Sequence, residues 1–277
     1  MTRAVAWDRA AEGWNRNTPL IRAWLREATA AMLDEARIGP GAKVLDIAAG
    51  AGDQTEDFAR AVGPTGSVLA TDVSPTILGF ARANLQAAGL TNVRFAVADA
   101  EQPLPIDEPV DAAICRLGLM LCMNPDAALA AAFKALRPGG RYVALVFGDP
   151  AHTPCVSILM KVALKHRGLP ASATPYAPGG LFSLAEAGKM ESLLAAAGYE
   201  EIHVAALSAP FDLPDAAAYI AFVRSAGSPV MEVLAPLDEA ARHAAWQEME
   251  TELGQFQDAT GWHGPNQLLL CSATRPR

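Results

Sequence analysis

The segment Val44–Asp53 reads VLDIAAGAGD, which is an apolar run, an aspartate and then a turn of small residues. The apolar run predicts a buried strand, and the residues after Gly52 predict a helix. Small side chains in the turn let the backbone approach a ligand closely. Ligands bind at the carboxyl ends of the strands in parallel sheets. We therefore expect the turn to border a binding site.

Apolar runs separated by helical segments continue on both sides of this turn. The runs lie at Lys43–Ile47, Ser67–Thr71, Val93–Val97, Val110–Arg116 and Arg141–Phe147. Strands that alternate with helices predict crossover connections, and near-continuous apolar strands are typical of a parallel sheet covered on both faces. The predicted fold class is therefore α/β, with a doubly wound, mostly parallel sheet.

Three carboxylates lie at the ends of three successive predicted strands: Asp46, Asp72 and Asp99. A carboxylate after the second strand can accept hydrogen bonds from ribose hydroxyls, a feature that NAD enzymes share. However, counting from Gly50, the third glycine of a dinucleotide fingerprint is replaced by Thr55. The pattern indicates an adenosine-containing ligand other than a dinucleotide.

Composition excludes several classes of protein. The 277 residues include 30 acidic and 22 basic side chains, for a net charge of −8, and no strong basic cluster that would favour nucleic acid. No run approaches the about 20 apolar residues of a membrane span, and the N-terminus lacks a signal-peptide pattern. The 4 cysteines show no metal-ligand spacing. We expect a cytoplasmic protein with no metal, nucleic-acid or membrane partner.

The run VLDIAAGAGD, together with Asp72, the DAE of residues 99–101 and the LRPGG of residues 136–140, resembles class I methyltransferases that use S-adenosylmethionine (SAM). It is most similar to the group of the ubiquinone/menaquinone C-methyltransferases. The resemblance covers roughly residues 40–147. It implies SAM as cofactor and a Rossmann-like, seven-stranded sheet of order 3-2-1-4-5-7-6, with the last strand antiparallel.

The resemblance also implies which residues bind the cofactor. Asp72 would hold the ribose, Val73 would pack on the adenine, and Asp99 with Ala100 would meet the adenine edge. The residues that it assigns to the methionyl half and the sulfonium are Asp46, Ala48, Gly50, Gly52, Cys115 and Arg116. The family often has glycine at the position of Ala48.

The segments around this core predict the domain organisation. The helix that ends at Gly198 is expected to begin with a capping box of Ser183 and Glu186. The expected parts are an N-terminal helical cap (1–38), the SAM-binding core (39–147), a substrate-side loop and helix (148–182), a continuation of the core (183–210), a helical lid insertion (211–258) and a final core strand (259–277).

Candidates for the reaction itself lie outside the core motif. His152 and His263 are candidate general bases, although an activated carbon or a phenolate needs none. The candidate substrate-binding residues are Trp7, Trp14, Tyr176 and Phe222. Their aromatic character favours a small apolar or aromatic acceptor, methylated on carbon or oxygen.

Other functions stay open at this stage. A macromolecular methyltransferase would share the cofactor site, and so would a non-catalytic SAM-binding protein of the same fold. A nicotinamide-dependent reductase would need the complete dinucleotide turn, which this chain lacks. The sequence leaves both a monomer and a homodimer open.

Overall fold

The computed structural model describes residues 3–170, 176–226 and 228–277. The parts of the predicted cap, substrate-side segment and lid that fall on residues 1–2, 171–175 and 227 lie outside the described residues. The helices are α1 (Arg3–Arg16), α2 (Thr18–Glu35), α3 (Asp53–Val62), α4 (Pro75–Ala87), α5 (Pro125–Ala135), α6 (Pro154–His166), α7 (Lys189–Ala196), α8 (Ala216–Ala226), α9 (Ser228–Leu234) and α10 (Glu239–Leu253). The strands are β1 (Lys43–Ile47), β2 (Ser67–Asp72), β3 (Val93–Val97), β4 (Val110–Arg116), β5 (Leu136–Phe147), β6 (Glu200–Ser208), β7 (Phe211–Leu213), β8 (Trp262–Gly264) and β9 (Gln267–Thr274).

The described residues form a seven-stranded sheet of order β3-β2-β1-β4-β5-β9-β6. Strands β1 to β5 pair in parallel, and β9 runs antiparallel to both of its neighbours, β5 and β6. This confirms the predicted α/β class and the predicted strand order, in which the last strand lies inside the sheet. Parallel pairing also brings the carboxyl ends of β1 to β4 to the same edge.

Proline and a capping side chain set the start of two core helices. Ser74 precedes Pro75, and its hydroxyl accepts a hydrogen bond from the Ile77 backbone N–H at 3.1 Å. Asn124 does the same for α5, accepting from the backbone of Ala127 at 3.0 Å. A capping side chain followed by proline is a typical start of a helix.

Two predictions of local structure are wrong. Ser183 caps no helix, because its hydroxyl donates to the Met120 carbonyl at 2.6 Å and α7 begins only at Lys189. The region 211–258 is not wholly helical, since Phe211–Leu213 forms a strand that pairs with Trp262–Gly264. That short sheet contributes Phe211 and Trp262 to the core. Both errors come from tertiary partners that local patterns do not contain.

Four helices, α6, α8, α9 and α10, form a group outside the sheet. Both α9 and α10 contact α6 and α8, and α1 contacts α4 and α8. In the middle of α1, the Asp8 carboxylate accepts from the Ser74 hydroxyl at 2.5 Å and from the Thr76 backbone N–H at 3.3 Å. Directly after α1, the Asn17 side chain donates to the Ser225 hydroxyl at 2.8 Å. Helix α1 therefore bridges α4, which packs on β2 and β3, and α8.

None of the helices in residues 3–170, 176–226 and 228–277 is both long and apolar enough to cross a membrane. Within the same ranges, no group of three His, Cys, Asp or Glu side chains has an arrangement that would hold a metal ion.

Candidate functional site

A cleft lies at the carboxyl-terminal edge of the parallel strands. Most of the residues that the sequence assigns to the cofactor line it, namely Ala48, Gly50, Asp72, Val73, Asp99, Ala100, Cys115 and Arg116. Asp46 and Gly52 do not line it. Trp7 and Trp14 of α1 complete the wall, with their rings edge-to-face at 6.0 Å.

Asp72 occupies the centre of the acidic side of this cleft. Its two carboxylate oxygens accept hydrogen bonds from the backbone N–H groups of Gly50 and Ser74, each at 3.0 Å. Only 8% of the residue is exposed, and burial raises the pKa of the Asp72 carboxyl above its usual value. The two backbone bonds favour the ionised form and hold the carboxylate at the cleft wall.

Asp99 supplies the second carboxylate of the cleft, from the loop that follows β3. It is half-buried, and one oxygen accepts from the Glu101 backbone N–H at 3.0 Å. Ala100 and Val73 flank it with small or apolar surface. This combination provides hydrogen-bond acceptors at the edges of a ligand and apolar contact for a flat ring.

The turn after β1 has a left-handed backbone, with φ of +57° at Ala48 and at Gly50. A Cβ at Gly50 would lie 3.1 Å from the indole nitrogen of Trp14, so a side chain there would crowd α1. Ala48 adopts a conformation that L-residues rarely take, and such strain persists only where the surroundings hold it. The turn thus brings bare backbone to the cleft.

Asp46 lies within the core, beneath the turn. Its carboxylate accepts from the Gln54 amide at 2.8 Å and from the Thr55 hydroxyl at 2.6 Å, and the residue is fully buried. Burial outweighs these bonds and raises the pKa of Asp46 to about 7. In this structure the carboxylate ties β1 to the first turn of α3, and so shapes the turn that borders the cleft.

Arg116 and Cys115 end β4 at the floor of the cleft. The Arg116 guanidinium donates to the Asp53 carboxylate and, at 2.9 Å, to the Thr29 hydroxyl, and the charged pair is almost wholly buried. The positive charge is therefore neutralised by α3 and does not act as a free cation. Burial raises the pKa of the Cys115 thiol well above its usual value, so the thiol stays protonated.

A second cavity adjoins the cleft. The two share Trp7, Trp14, Leu117 and Leu121 as lining residues. The rest of its wall is apolar or aromatic, and the aromatic members are Trp24, Phe147, Phe211, Tyr219 and Phe222. We refer to the first space as the acidic cleft and to the second as the apolar cavity.

The structure brings some of the predicted substrate and catalytic residues to these spaces and leaves others out. Trp7, Trp14 and Phe222 line the apolar cavity, whereas Tyr176 is half-buried and borders neither space.

His152 and His263 lie apart from both spaces and instead line a separate surface groove. The ring of His263 is held away from both spaces by hydrogen bonds to Asp212 of β7 at 2.7 Å and to Thr260 at 2.8 Å. His152 follows β5 and His263 precedes β9, so both lie near the predicted edge of the sheet, but they line a groove separate from the acidic cleft and the cavity.

Sequence reasoning missed Leu117 and Leu121, which belong to both spaces, and Trp24 and Phe147, which build the apolar cavity. Trp24 stacks on Phe211 with ring centroids 4.0 Å apart. The available signal for Trp24 was its place in the apolar periodicity of α2, but that pattern also fits ordinary core packing.

Comparisons with known proteins agree with this geometry. Residues 44–140 match the family model of a methyltransferase domain. The ubiquinone/menaquinone biosynthesis C-methyltransferase UbiE of Shewanella pealeana is 39% identical over 122 residues, which make up 43% of this chain and 48% of that protein. The chain thus spans about half the length of the curated relatives it matches. The resemblance stated from the sequence motifs is confirmed.

Solved structures share the fold. The YcgJ protein of Bacillus subtilis aligns with a TM-score of 0.59 and 18% identity, over 91% of this chain and 99% of that one. A phosphoethanolamine N-methyltransferase of Haemonchus contortus, crystallised with S-adenosylhomocysteine, aligns with a TM-score of 0.61 and 15% identity, over 100% of this chain and 61% of that one. At these identities the likeness concerns the fold alone.

Proposed function

We propose that this chain, which carries a methyltransferase domain in residues 44–140, transfers the methyl group of SAM to a small apolar molecule. The observation that supports this most directly is the pairing of two adjoining spaces. The acidic cleft offers carboxylates to an adenosyl ligand, and the apolar cavity beyond it offers almost no polar group. Their shared wall is where a methyl group would pass from one ligand to the other.

The acidic cleft fits the cofactor. An adenosyl group carries two ribose hydroxyls and an exocyclic amino group, all hydrogen-bond donors, and Asp72 and Asp99 present acceptors to them. The left-handed turn at Gly50 leaves room for the methionyl half beside the backbone. Trp7 and Trp14 present aromatic rings to the same space, and such rings attract a sulfonium cation.

Bound SAM supplies an electrophilic methyl group that leaves by in-line displacement. The contribution of the protein is placement, since oriented encounters lower a barrier by about 7–11 kcal/mol. Leu117 and Leu121 border both spaces, so ligands on the two sides meet against apolar surface. That surface excludes water from the reacting atoms.

The apolar cavity sets limits on the acceptor. Among the described residues that line it there is no histidine, lysine, aspartate or glutamate. Tyr219 is its one ionisable side chain in the described part of the chain, and burial raises the pKa of that hydroxyl well above its usual value. The acceptor therefore brings its own nucleophile, as an activated carbon or a phenolate does. The bacterial relatives are C-methyltransferases, which agrees with the first of these.

The rival functions fit less well. A macromolecular acceptor needs an open groove, and RNA a basic one, whereas this cavity is roofed by α1 and α8 in a protein of net charge −8. A non-catalytic SAM-binding protein would have no use for a second cavity beside the methyl donor. We therefore favour C- or O-methylation of a small molecule.

The first test is calorimetry of the purified chain with S-adenosylhomocysteine and, separately, with NADH. We expect binding of the first ligand alone. Asp72→Asn should weaken it roughly 10- to 150-fold, because hydrogen bonds to a charged group contribute about 1.5–3 kcal/mol. Asp111→Asn is the matched control, since Asp111 also accepts a backbone N–H, from Lys43 at 2.8 Å, but lies at the opposite edge of the sheet.

The second test identifies the class of acceptor. The chain is incubated with methyl-labelled SAM and a cell extract, which is then separated into low-molecular-mass, protein and RNA fractions. We expect the label in the low-molecular-mass fraction, extractable into organic solvent. Label confined to protein or RNA would overturn the proposed acceptor class, and failure to bind S-adenosylhomocysteine would overturn the proposal as a whole.

A further inference from the structure

We propose that Leu117 is a specificity-determining residue for the methyl transfer, and that it restricts acceptors to flat molecules whose reacting atom is unhindered. The inference rests on the proposed function. Leu117 is one of the side chains that line both the acidic cleft and the apolar cavity. It directly follows β4, whereas Trp7 and Trp14 in the same wall belong to the bridging helix α1.

The backbone of Leu117 is left-handed, with φ of +57°. A bulky L-residue rarely adopts this conformation, because the Cβ that every residue except glycine carries crowds the following carbonyl group. Strain of this kind clusters at functional sites, where it places a side chain that a relaxed backbone would direct elsewhere. The left-handed backbone therefore indicates that the Leu117 side chain has a role at this position.

Contacts on both sides hold the strained residue in place. Its backbone N–H donates to the Leu145 carbonyl of β5 at 2.7 Å. The next residue, Gly118, lies so close to the turn after β1 that a Cβ on it would be 2.5 Å from the Ala48 Cβ and 3.0 Å from the Cys115 sulfur. The chain at 117–118 is therefore fixed by the sheet and by the cofactor turn together, and only 9% of Leu117 is exposed.

This position has a chemical consequence. In-line displacement requires the attacking atom, the methyl carbon and the sulfur to lie nearly in a line at about 3–3.5 Å separation. A rigidly held, branched side chain in the shared wall leaves little room for substituents beside the attacking atom. Trp7 and Trp14 complete the same wall from helix α1.

The test compares two phenols in the presence of saturating S-adenosylhomocysteine. The probes are 1-naphthol, which is flat, and 2,6-di-tert-butylphenol, which carries bulk on both sides of its oxygen. Calorimetry should show the wild-type chain binding 1-naphthol at least tenfold more tightly. Leu117→Ala should reduce that ratio below threefold, because the side chain that excludes the bulky groups is gone.

Leu119→Ala is the matched control. Leu119 is a buried leucine two residues away that lines neither space, so its variant should keep the ratio within twofold of wild type. If the alanine variant at 117 fails to melt cooperatively, Leu117→Gly repeats the measurement, since glycine accepts the left-handed backbone without strain.

The outcomes separate the two proposals. A wild-type chain that does not bind S-adenosylhomocysteine refutes the proposed function. A chain that binds it but does not discriminate between the phenols, or whose variants at positions 117 and 119 give the same ratio, refutes the role of Leu117 and leaves the proposed function standing.

Discussion

Gly118→Ala, examined together with Ala48→Gly, provides a direct test of how the cleft floor is packed. The backbone of Gly118, at φ −103° and ψ −41°, suits alanine, so the substitution strains nothing by itself. However, the new Cβ would lie 2.5 Å from the Cβ of Ala48 and 3.0 Å from the sulfur of Cys115. A methyl group forced into such a space destabilises a core by about 1–3 kcal/mol. We expect Gly118→Ala to fall in that range.

Ala48→Gly should be close to neutral on its own. It removes the cost of a left-handed alanine, about 1–2 kcal/mol, and adds the backbone entropy of glycine, about 0.5–1 kcal/mol. It also removes the nearer of the two atoms that Gly118→Ala would meet. The double variant should therefore recover about 1–2 kcal/mol of the loss, leaving the remainder to the contact with Cys115.

The assay is urea unfolding of the four proteins, followed by tryptophan fluorescence, with the free energies combined as a double-mutant cycle. Both positions line the acidic cleft, so affinity for S-adenosylhomocysteine should fall in the Gly118→Ala variant and return in the double variant. Additivity within about 0.5 kcal/mol would show that the two sites do not touch and would refute the packing. A Gly118→Ala variant as stable as wild type would refute it as well.

Three further outcomes follow from buried charge and from the placement of the histidines. Burial raises the pKa of Asp46 from 3.8 to about 7, so between these pH values the folded chain binds more protons than the unfolded chain, and the contribution of Asp46 to stability falls as pH rises from about 4 to 7. Asp46→Asn should flatten this fall in the free energy of unfolding, measured by urea titration at several pH values. An unchanged slope would contradict the assignment of the fall to Asp46. Arg116→Met leaves the buried Asp53 unpaired and should reduce the free energy of unfolding by about 3–5 kcal/mol. Adding Asp53→Leu should restore most of that free energy, whereas a loss below about 1 kcal/mol in the single variant would argue against the buried pair. His152→Ala and His263→Ala should leave labelled methyl transfer within about twofold of wild type, whereas a tenfold drop in kcat would restore a histidine as general base.

The cofactor half of the site was predictable because its information is local. Asp72 and Asp99 each follow a strand that the apolar pattern identifies, and parallel pairing brings the ends of such strands to one edge. The same argument placed Asp46 at the edge. The strand pattern did not predict that Gln54 and Thr55 would donate hydrogen bonds to the Asp46 carboxylate, because those bonds depend on how α3 packs against β1.

The errors have a common physical origin. Ser183 and Glu186 have the spacing of a capping box, but the Ser183 hydroxyl finds a stronger competitor in the Met120 carbonyl, which is distant in sequence. His263 follows an inserted segment whose β7 strand was read as helix, and its pairing with Asp212 turns it toward the surface groove. In each case a long-range partner outweighed a short-range pattern, as it generally does for polar side chains.

The apolar cavity, which we propose binds the acceptor, could not be predicted from the sequence for a further reason. Trp24, Phe147 and Phe211 come from three separate parts of the chain, yet their rings pack together, with centroids 4.0 Å apart for Trp24 with Phe211 and 6.4 Å for Trp24 with Phe147. Each alone reads as an ordinary core residue. A cofactor site at the ends of successive strands can stay the same while helices such as α8 change the shape of the apolar cavity beside it. The residues that would select the acceptor therefore lie in the part of the chain where local sequence patterns are least informative.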